Sequence, residues 1–199
     1  MGKVREPIKK NSIEKKNRII EKGFELMCNS GYHNVSCVDI AKYANVSTGI
    51  IYQYFKDKRD IFLEGVKDYS NKIMFPMIDI LDTKDFDKEN LETIISNMID
   101  SFIKTHTMSK NAHEELMAMS CLDKEVASLF NESEMTMTKK ISSLLENNNI
   151  NVCGIEEKIH MIIGIVDNYC HEVVYHKHKE LDYKAMKKYV IDTIVYLLK

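Results

Sequence analysis

The segment "SCVDIAKYANVSTGIIYQYF", Ser36 to Phe55, constrains the fold more than any other part of this 199-residue chain. Its second half, "TGIIYQYF", is rich in β-branched and aromatic residues that favour strands. A strand buried on one face should alternate, yet Ile50, Tyr52 and Tyr54 on one side oppose Ile51, Gln53 and Phe55 on the other, and neither side is polar. A strand also needs a partner, and the sequence offers no second β-rich run bounded by hairpin turn signals. The stretch therefore reads as a helix whose outward residues serve something beyond the fold.

The flanking residues support that reading. Ser36 is an apt N-cap, and Asp39 three residues later completes an S-x-x-D capping pattern for a helix that buries Val38, Ile40, Ala41 and Ala44. In "NVS", Asn45 tolerates the left-handed backbone of a sharp turn, Val46 plugs the core and Ser47 caps the next helix. Before this pair, Ile13 to Ser30 reads as a helix with Ile19, Ile20, Gly23, Phe24 and Met27 on its apolar face and Gly31 as its stop. On a helix from Thr48, Ile51 and Phe55 fall at i, i+4 and pack inward, leaving Thr48, Gly49, Ile50, Tyr52, Gln53 and Tyr54 outward. These are suitable groups for the DNA major groove: Gln reads adenine, Thr contacts several bases, an apolar group meets the thymine methyl, and Gly lets the backbone come close. Tyr hydroxyls and Lys58 suit phosphates.

Charge agrees. The formal net charge of -2 conceals a basic head: residues 1–66 hold 12 Lys/Arg against 8 Asp/Glu, a net +4, and the rest holds 16 against 22, a net -6. That asymmetry suits a polyanionic partner at the N-terminal end. The scarcity of loop formers, 7 Gly and 2 Pro, favours a helical chain. No apolar stretch approaches the roughly 20 residues of a membrane span, and the N-terminus shows neither a secretory leader nor a myristoylation signal, so a soluble cytoplasmic protein is expected. Five cysteines without a C-x-x-C pair fit a reducing compartment.

The run "VSCVDIAKYANVSTGIIYQYFKDKRDIFLEGV" resembles the N-terminal DNA-binding signature of the TetR/AcrR family of bacterial transcriptional regulators. "DIAKYANVS" matches the family's Ile-Ala, two-Ala and Val-Ser run, "IYQYF" its recognition-helix Tyr-x-(His/Tyr)-Phe, and "KDKRDIF" the opening of its fourth helix. Asn45 departs from the family's usual Gly, and Val35 and Cys37 lie where small polar or Met residues are common. The resemblance implies an all-α chain: a helix-turn-helix DNA-binding domain over 1–57, then a larger helical effector-binding and dimerisation domain over 58–199. It implies that Ser36, Tyr52, Tyr54 and Lys58 touch phosphates and that Thr48, Gly49, Ile50 and Gln53 face bases. The function implied is a homodimeric repressor on palindromic double-stranded operator DNA, released by a small apolar or aromatic effector, with no cofactor and no catalysis.

Beyond Lys58 the sequence reads as successive helices: one meeting Pro76, then Lys88–Met108, Asn111–Leu122, Lys124–Asn147, Ile155–His176 and Asp182–Leu198. The helix from Lys58 towards Pro76 reads as the covalent route between head and pocket. Twelve Met, among them Met74, Met77, Met98, Met117, Met119 and Met161, suit an adaptable interior, although ordinary packing explains any single one as well. The family's effector pocket would draw on Phe102, Met117, Cys121, Met161 and Tyr169. Two apolar stripes on each of the last two helices, Ile159, Ile162, Ile163, Val166, Cys170 and Val173 against Met161, Ile165 and Tyr169, and Met186, Val190, Thr193, Ile194 and Leu197 against Ile191, Val195 and Leu198, point to a four-helix dimer interface. The alternative class is a metal-binding helical enzyme. Asp167 with His171 and Glu172 with His176 have i, i+4 spacing, but only one E-x-x-H occurs, Glu157 to His160, where a dinuclear carboxylate centre wants two. No metal is therefore assigned. Activator rather than repressor action remains the alternative within regulation.

Overall fold

A computed structural model describes residues 7–70, 90–108 and 110–199, with the side chain of Met108 excepted. Met74, Met77, Pro76 and the expected kink at Pro76 lie outside the described residues. Nine α-helices occur among the described residues, and no strand: α1 Lys10–Ser30, α2 Cys37–Tyr43, α3 Thr48–Tyr54, α4 Lys58–Tyr69, α5 Leu91–Met108, α6 Lys110–Leu122, α7 Lys124–Asn147, α8 Ile155–Val174 and α9 Tyr183–Leu197. The all-α expectation holds, and the stretch Thr48–Tyr54 is a helix despite its strand-favouring composition.

The helices form two compact units, residues 1–70 with 111–129 and residues 71–110 with 130–199. The chain therefore passes between them three times, and α7 contributes residues to both. This corrects the expectation that the helix after Lys58 is the sole covalent route.

In the first unit α1 packs on α2 and α4, and α2 on α3. Ile19, Met27, Ile40, Ile51, Ile61 and Phe62 are fully buried at its centre. Two glycines set how closely α1 and α4 approach. A Cβ on Gly23 would stand 2.7 Å from Ile61 Cγ2, and one on Gly65 would overlap the Phe24 ring. Gly31 ends α1 with a positive φ of 85°. The α4 N-terminus is capped by Asp57, whose carboxylate accepts from the backbone N–H groups of Arg59 and Asp60. Arg59 in turn grips Asp123 with a two-pronged pair, Nε–Oδ2 2.7 Å and Nη2–Oδ1 2.9 Å, and adds Glu125 at 2.8 Å. The guanidinium holds the Asp123 carboxyl down to about 2, helped by the Glu125 and Val126 backbone N–H groups.

The second unit closes α5, α8 and α9 over a core that includes Ile95, Ile99, Leu145, Ile159, Val166, Cys170 and Ile194. Burial raises the Cys170 thiol to about 12, so it stays protonated and apolar. Tyr169, on the stripe of α8 that also carries Met161 and Ile165, is buried and donates its hydroxyl to the Tyr183 carbonyl at 2.9 Å. Ile194 and Leu198 likewise turn inward. The residues that remain outward are Met161 (58% exposed) on α8 and Tyr189 (67%) and Tyr196 (78%) on α9. Periodicity found that these helices are apolar on more than one side, but not which side faces inward.

Candidate nucleic-acid interface

The turn between α2 and α3 is built as its sequence requires. Ser36 and Asp39 form a full capping box: the Asp39 N–H donates to Ser36 Oγ at 3.3 Å and the Ser36 N–H donates to Asp39 Oδ2 at 3.0 Å. The Ser36 hydroxyl also donates to Asp39, and it is the largest influence holding that carboxyl below its usual range. Asn45 takes the left-handed conformation with φ 51°, and the Val46 N–H closes the turn on the Ala41 carbonyl at 2.9 Å. Ser47 occupies the N-cap position of α3 with extended backbone but makes no side-chain cap bond. Val38, expected in the core, is 47% exposed, because α2 turns Ile40 and Ala41 inward.

Ile51 and Phe55 are buried and fasten α3 to the unit. Their burial fixes the helix rotation, so the rest of the turn faces out: Gly49, Tyr52 and Gln53 are exposed, and Thr48, Ile50 and Tyr54 are half-buried. Gly49 is informative. A Cβ there would meet nothing within 4 Å among the described residues, so packing against them does not explain the glycine. Tyr52 is 54% exposed and lies beside Cys37, whose charge when ionised, followed by a hydrogen bond between the two side chains, raises the phenol above its ordinary value.

Lys58 is engaged differently from its expected role. Its ammonium donates to the Tyr32 carbonyl at 2.7 Å and the Val35 carbonyl at 2.8 Å, and it sits 4.5 Å from the Tyr32 ring centroid. Two of its three N–H groups thus serve the fold. Lys56, exposed and one residue beyond Phe55, is a cation beside the outward face that the sequence reading passed over. Its position directly after the inward Phe55 was the available signal.

The five expected effector residues are divided between the two units. Phe102 lines a cavity of about 70 Å³ in the second unit, walled by side chains of α5, α7, α8 and α9 such as Ile95, Met98, Ile141, Ile162 and Ile194. Tyr169 is engaged as described and Met161 is exposed, and neither lines the cavity. Met117 and Cys121 are exposed and lie in the first unit. The cavity is smaller than the roughly 150 Å³ that accommodates benzene in an apolar interior, so any ring-sized guest must widen it. Among the histidines, Asp167 pairs with His171 at 3.5 Å as spaced, whereas Glu172 meets His178 at 3.8 Å rather than the expected His176. His160 lies 3.3 Å from the Thr138 hydroxyl, and Glu157 beside it on α8 is exposed.

Comparison with known proteins covers both halves of the chain. Residues 19–64, from α1 into α4, match the family model described as "Bacterial regulatory proteins, tetR family". The chain is 32% identical over 92 residues to the fatty acid metabolism regulator protein of Bacillus subtilis, a match over 46% of this chain and 47% of that protein, so it spans about half that relative's length. It is 27% identical over 144 residues to the biofilm operon icaADBC HTH-type negative transcriptional regulator IcaR of Staphylococcus aureus, over 63% of this chain and 74% of the relative. Its fold is similar to a TetR-family regulator from Mesorhizobium loti, with TM-score 0.76, 16% identity and coverage of 96% and 98% of the two chains. A regulator from Saccharomonospora viridis, solved in complex with choline, is also similar, with TM-score 0.67, 20% identity and coverage of 92% and 96%. With the capped α2, the left-handed turn at Asn45 and the outward α3 that they contain, residues 19–64 form a domain of the tetR family of bacterial regulatory proteins.

Proposed function

We propose that the protein is a ligand-responsive transcriptional regulator that binds palindromic operator DNA as a homodimer through α3 and acts as a repressor released by a small apolar or aromatic effector. The observation that carries this reading is the outward face of α3, where Ile51 and Phe55 anchor the helix and Gly49 is a glycine that no neighbour among the described residues requires. Thr48, Gly49, Ile50 and Gln53 read base edges, while Ser36, Tyr52 and Tyr54 hold phosphates. Ser36 gives its hydroxyl hydrogen to Asp39 in the capping box, so its phosphate contact requires that hydrogen to turn from Asp39 to the phosphate oxygen. Lys56 joins the phosphate set, and Lys58 supports the head from within. The functional division runs near residue 57, with 1–57 binding DNA and 58–199 binding effector and partner. Repressor action is supported by the similarity to IcaR, which is named a negative regulator.

The dimer reading rests on the outward apolar residues of α8 and α9, chiefly Met161, Tyr189 and Tyr196, which two-fold pairing would cover. The effector site is the cavity bounded by Phe102, a small apolar space of the kind that binds apolar ligands. No helix among the described residues is long and apolar enough to cross a membrane, which accords with a regulator working at cytoplasmic DNA. Selection of bound sequences from random duplex DNA tests the proposal. Enrichment of an inverted repeat with half-sites about one DNA turn apart, roughly 34 to 36 Å or a multiple, is expected. Enrichment of a single non-repeated element would overturn the dimeric docking, and no enrichment at all would overturn the DNA-binding reading.

A further inference from the structure

Two histidines from different helices of the second unit converge on one carboxylate. His106 stands on the last turn of α5, and Asp167 and His171 lie one turn apart on α8. His106 Nε2 is 3.3 Å from Asp167 Oδ1, and His171 Nε2 is 3.5 Å from Asp167 Oδ2. The donor atoms lie within 4.8 Å of one another. We propose that His106, Asp167 and His171 bind one divalent transition-metal ion of the zinc type, with water completing its coordination.

The tautomer of His106 supports this. Its Nδ1 is 2.9 Å from the Phe102 carbonyl oxygen, which only accepts, so Nδ1 carries the hydrogen. With Nδ1 engaged by that carbonyl, Nε2 is the ring atom left to face Asp167 Oδ1. A backbone carbonyl on one ring nitrogen with the other presented to a metal is the usual outer support of a histidine ligand. The Tyr175 hydroxyl donates to the His106 carbonyl at 3.3 Å, and its ring packs edge-on against His171 with centroids 5.3 Å apart, holding both imidazoles in place. The spacing fits as well: ligands bound about 2.0 to 2.1 Å from a tetrahedral Zn²⁺ lie roughly 3.3 to 3.4 Å apart, which is close to the two nitrogen-to-oxygen separations. The competing occupant of the gap is a proton, which would make His106 an imidazolium paired with Asp167.

Titration of the full-length, chelator-stripped protein with Co²⁺, read by visible ligand-field absorption, and with Zn²⁺ by calorimetry separates the two. One ion per chain is expected, with perturbation of both the His106 and His171 imidazole resonances. His171→Gln and Asp167→Asn should each weaken binding by more than the roughly 10- to 100-fold that loss of an outer partner costs. His178→Ala, which alters only an exposed imidazole beside Glu172, should leave it unchanged. His106→Ala removes a buried ring, so its result is read alongside the half-buried His171→Gln, with helicity checked by circular dichroism. Failure to take up either metal, or uptake that survives both His171→Gln and Asp167→Asn, would overturn the site and leave the imidazolium pair.

Discussion

Replacing Lys58 with Met removes the ammonium while keeping most of the stem, and the structure sets what should follow. The wild-type ammonium donates to two backbone carbonyls at 2.7 and 2.8 Å and lies over the Tyr32 ring. A hydrogen bond to a charged group is worth about 1.5 to 3 kcal/mol, and a cation over an exposed ring about 0.5 to 1 kcal/mol. Lys58 is only half-buried, so water can reach part of the site, and a net loss of about 2 to 4 kcal/mol is expected. Because the chain has two compact units, a single unfolding midpoint is not the right measure. Native-state hydrogen exchange of amides in α1, α2 and α4 reads the opening free energy of the first unit directly. Those amides should lose most of the 2 to 4 kcal/mol in Lys58→Met, whereas amides of α8 and α9 should not change. In the same preparation the salt slope of DNA binding should change by less than one phosphate's worth, while Lys56→Ala should lower it by about 0.9 and leave exchange unaltered. If Lys58→Met leaves exchange within about 0.5 kcal/mol of wild type and lowers the slope by a full phosphate, the ammonium serves DNA and the reasoning from its carbonyl contacts is refuted.

Gln53→Ala should cost roughly 1 to 3 kcal/mol on the preferred operator, little on scrambled duplex, and relax preference at one position per half-site; equal weakening on both duplexes, measured by fluorescence anisotropy, would remove Gln53 from base readout. Gly65→Ala should destabilise the first unit by about 1 to 3 kcal/mol, because its Cβ overlaps the Phe24 ring, and hydrogen exchange of the α1 and α4 amides equal to wild type would disprove that packing. Gly49→Ala is the contrast: with open space around its Cβ it should leave the fold stable or slightly more so by about 0.5 to 1 kcal/mol while weakening operator binding. Asp123, held down to about 2 by Arg59, should contribute stability that is complete above the ordinary carboxyl range and is lost as pH falls from about 4 through 2. After allowance for the exposure of the pair, Arg59→Ala should lose about 1 kcal/mol at pH 6 and almost none at pH 2, so a loss independent of pH would exclude the ion pair as its source.

Much of the head was legible because local chemistry and global fold agree there. The capping pattern at Ser36 and Asp39, the left-handed Asn45, the stop at Gly31 and the inward pair Ile51 and Phe55 each follow from near neighbours in the chain, and each stands in the structure as read. The pocket residues were less legible. Helical periodicity marks an apolar side but carries no information on which neighbouring helix covers it, so Phe102 lines the cavity while Met161, Met117 and Cys121 face outward. Lys58 shows the same limit from the polar side, since its carbonyl partners lie 26 and 23 residues away and no local rule pairs them.

The sequence by itself therefore determined the helical class, the tight turn and the rotation of α3, because hydrogen bonds and side-chain faces within about four residues settle those. Tertiary structure alone decided that α1 and α4 approach through Gly23 and Gly65, that Tyr169 turns inward, that Arg59 clasps Asp123, and that His106 meets Asp167. Each of these joins residues far apart in the chain, and such contacts depend on how whole helices pack, which a pattern read along one helix does not encode.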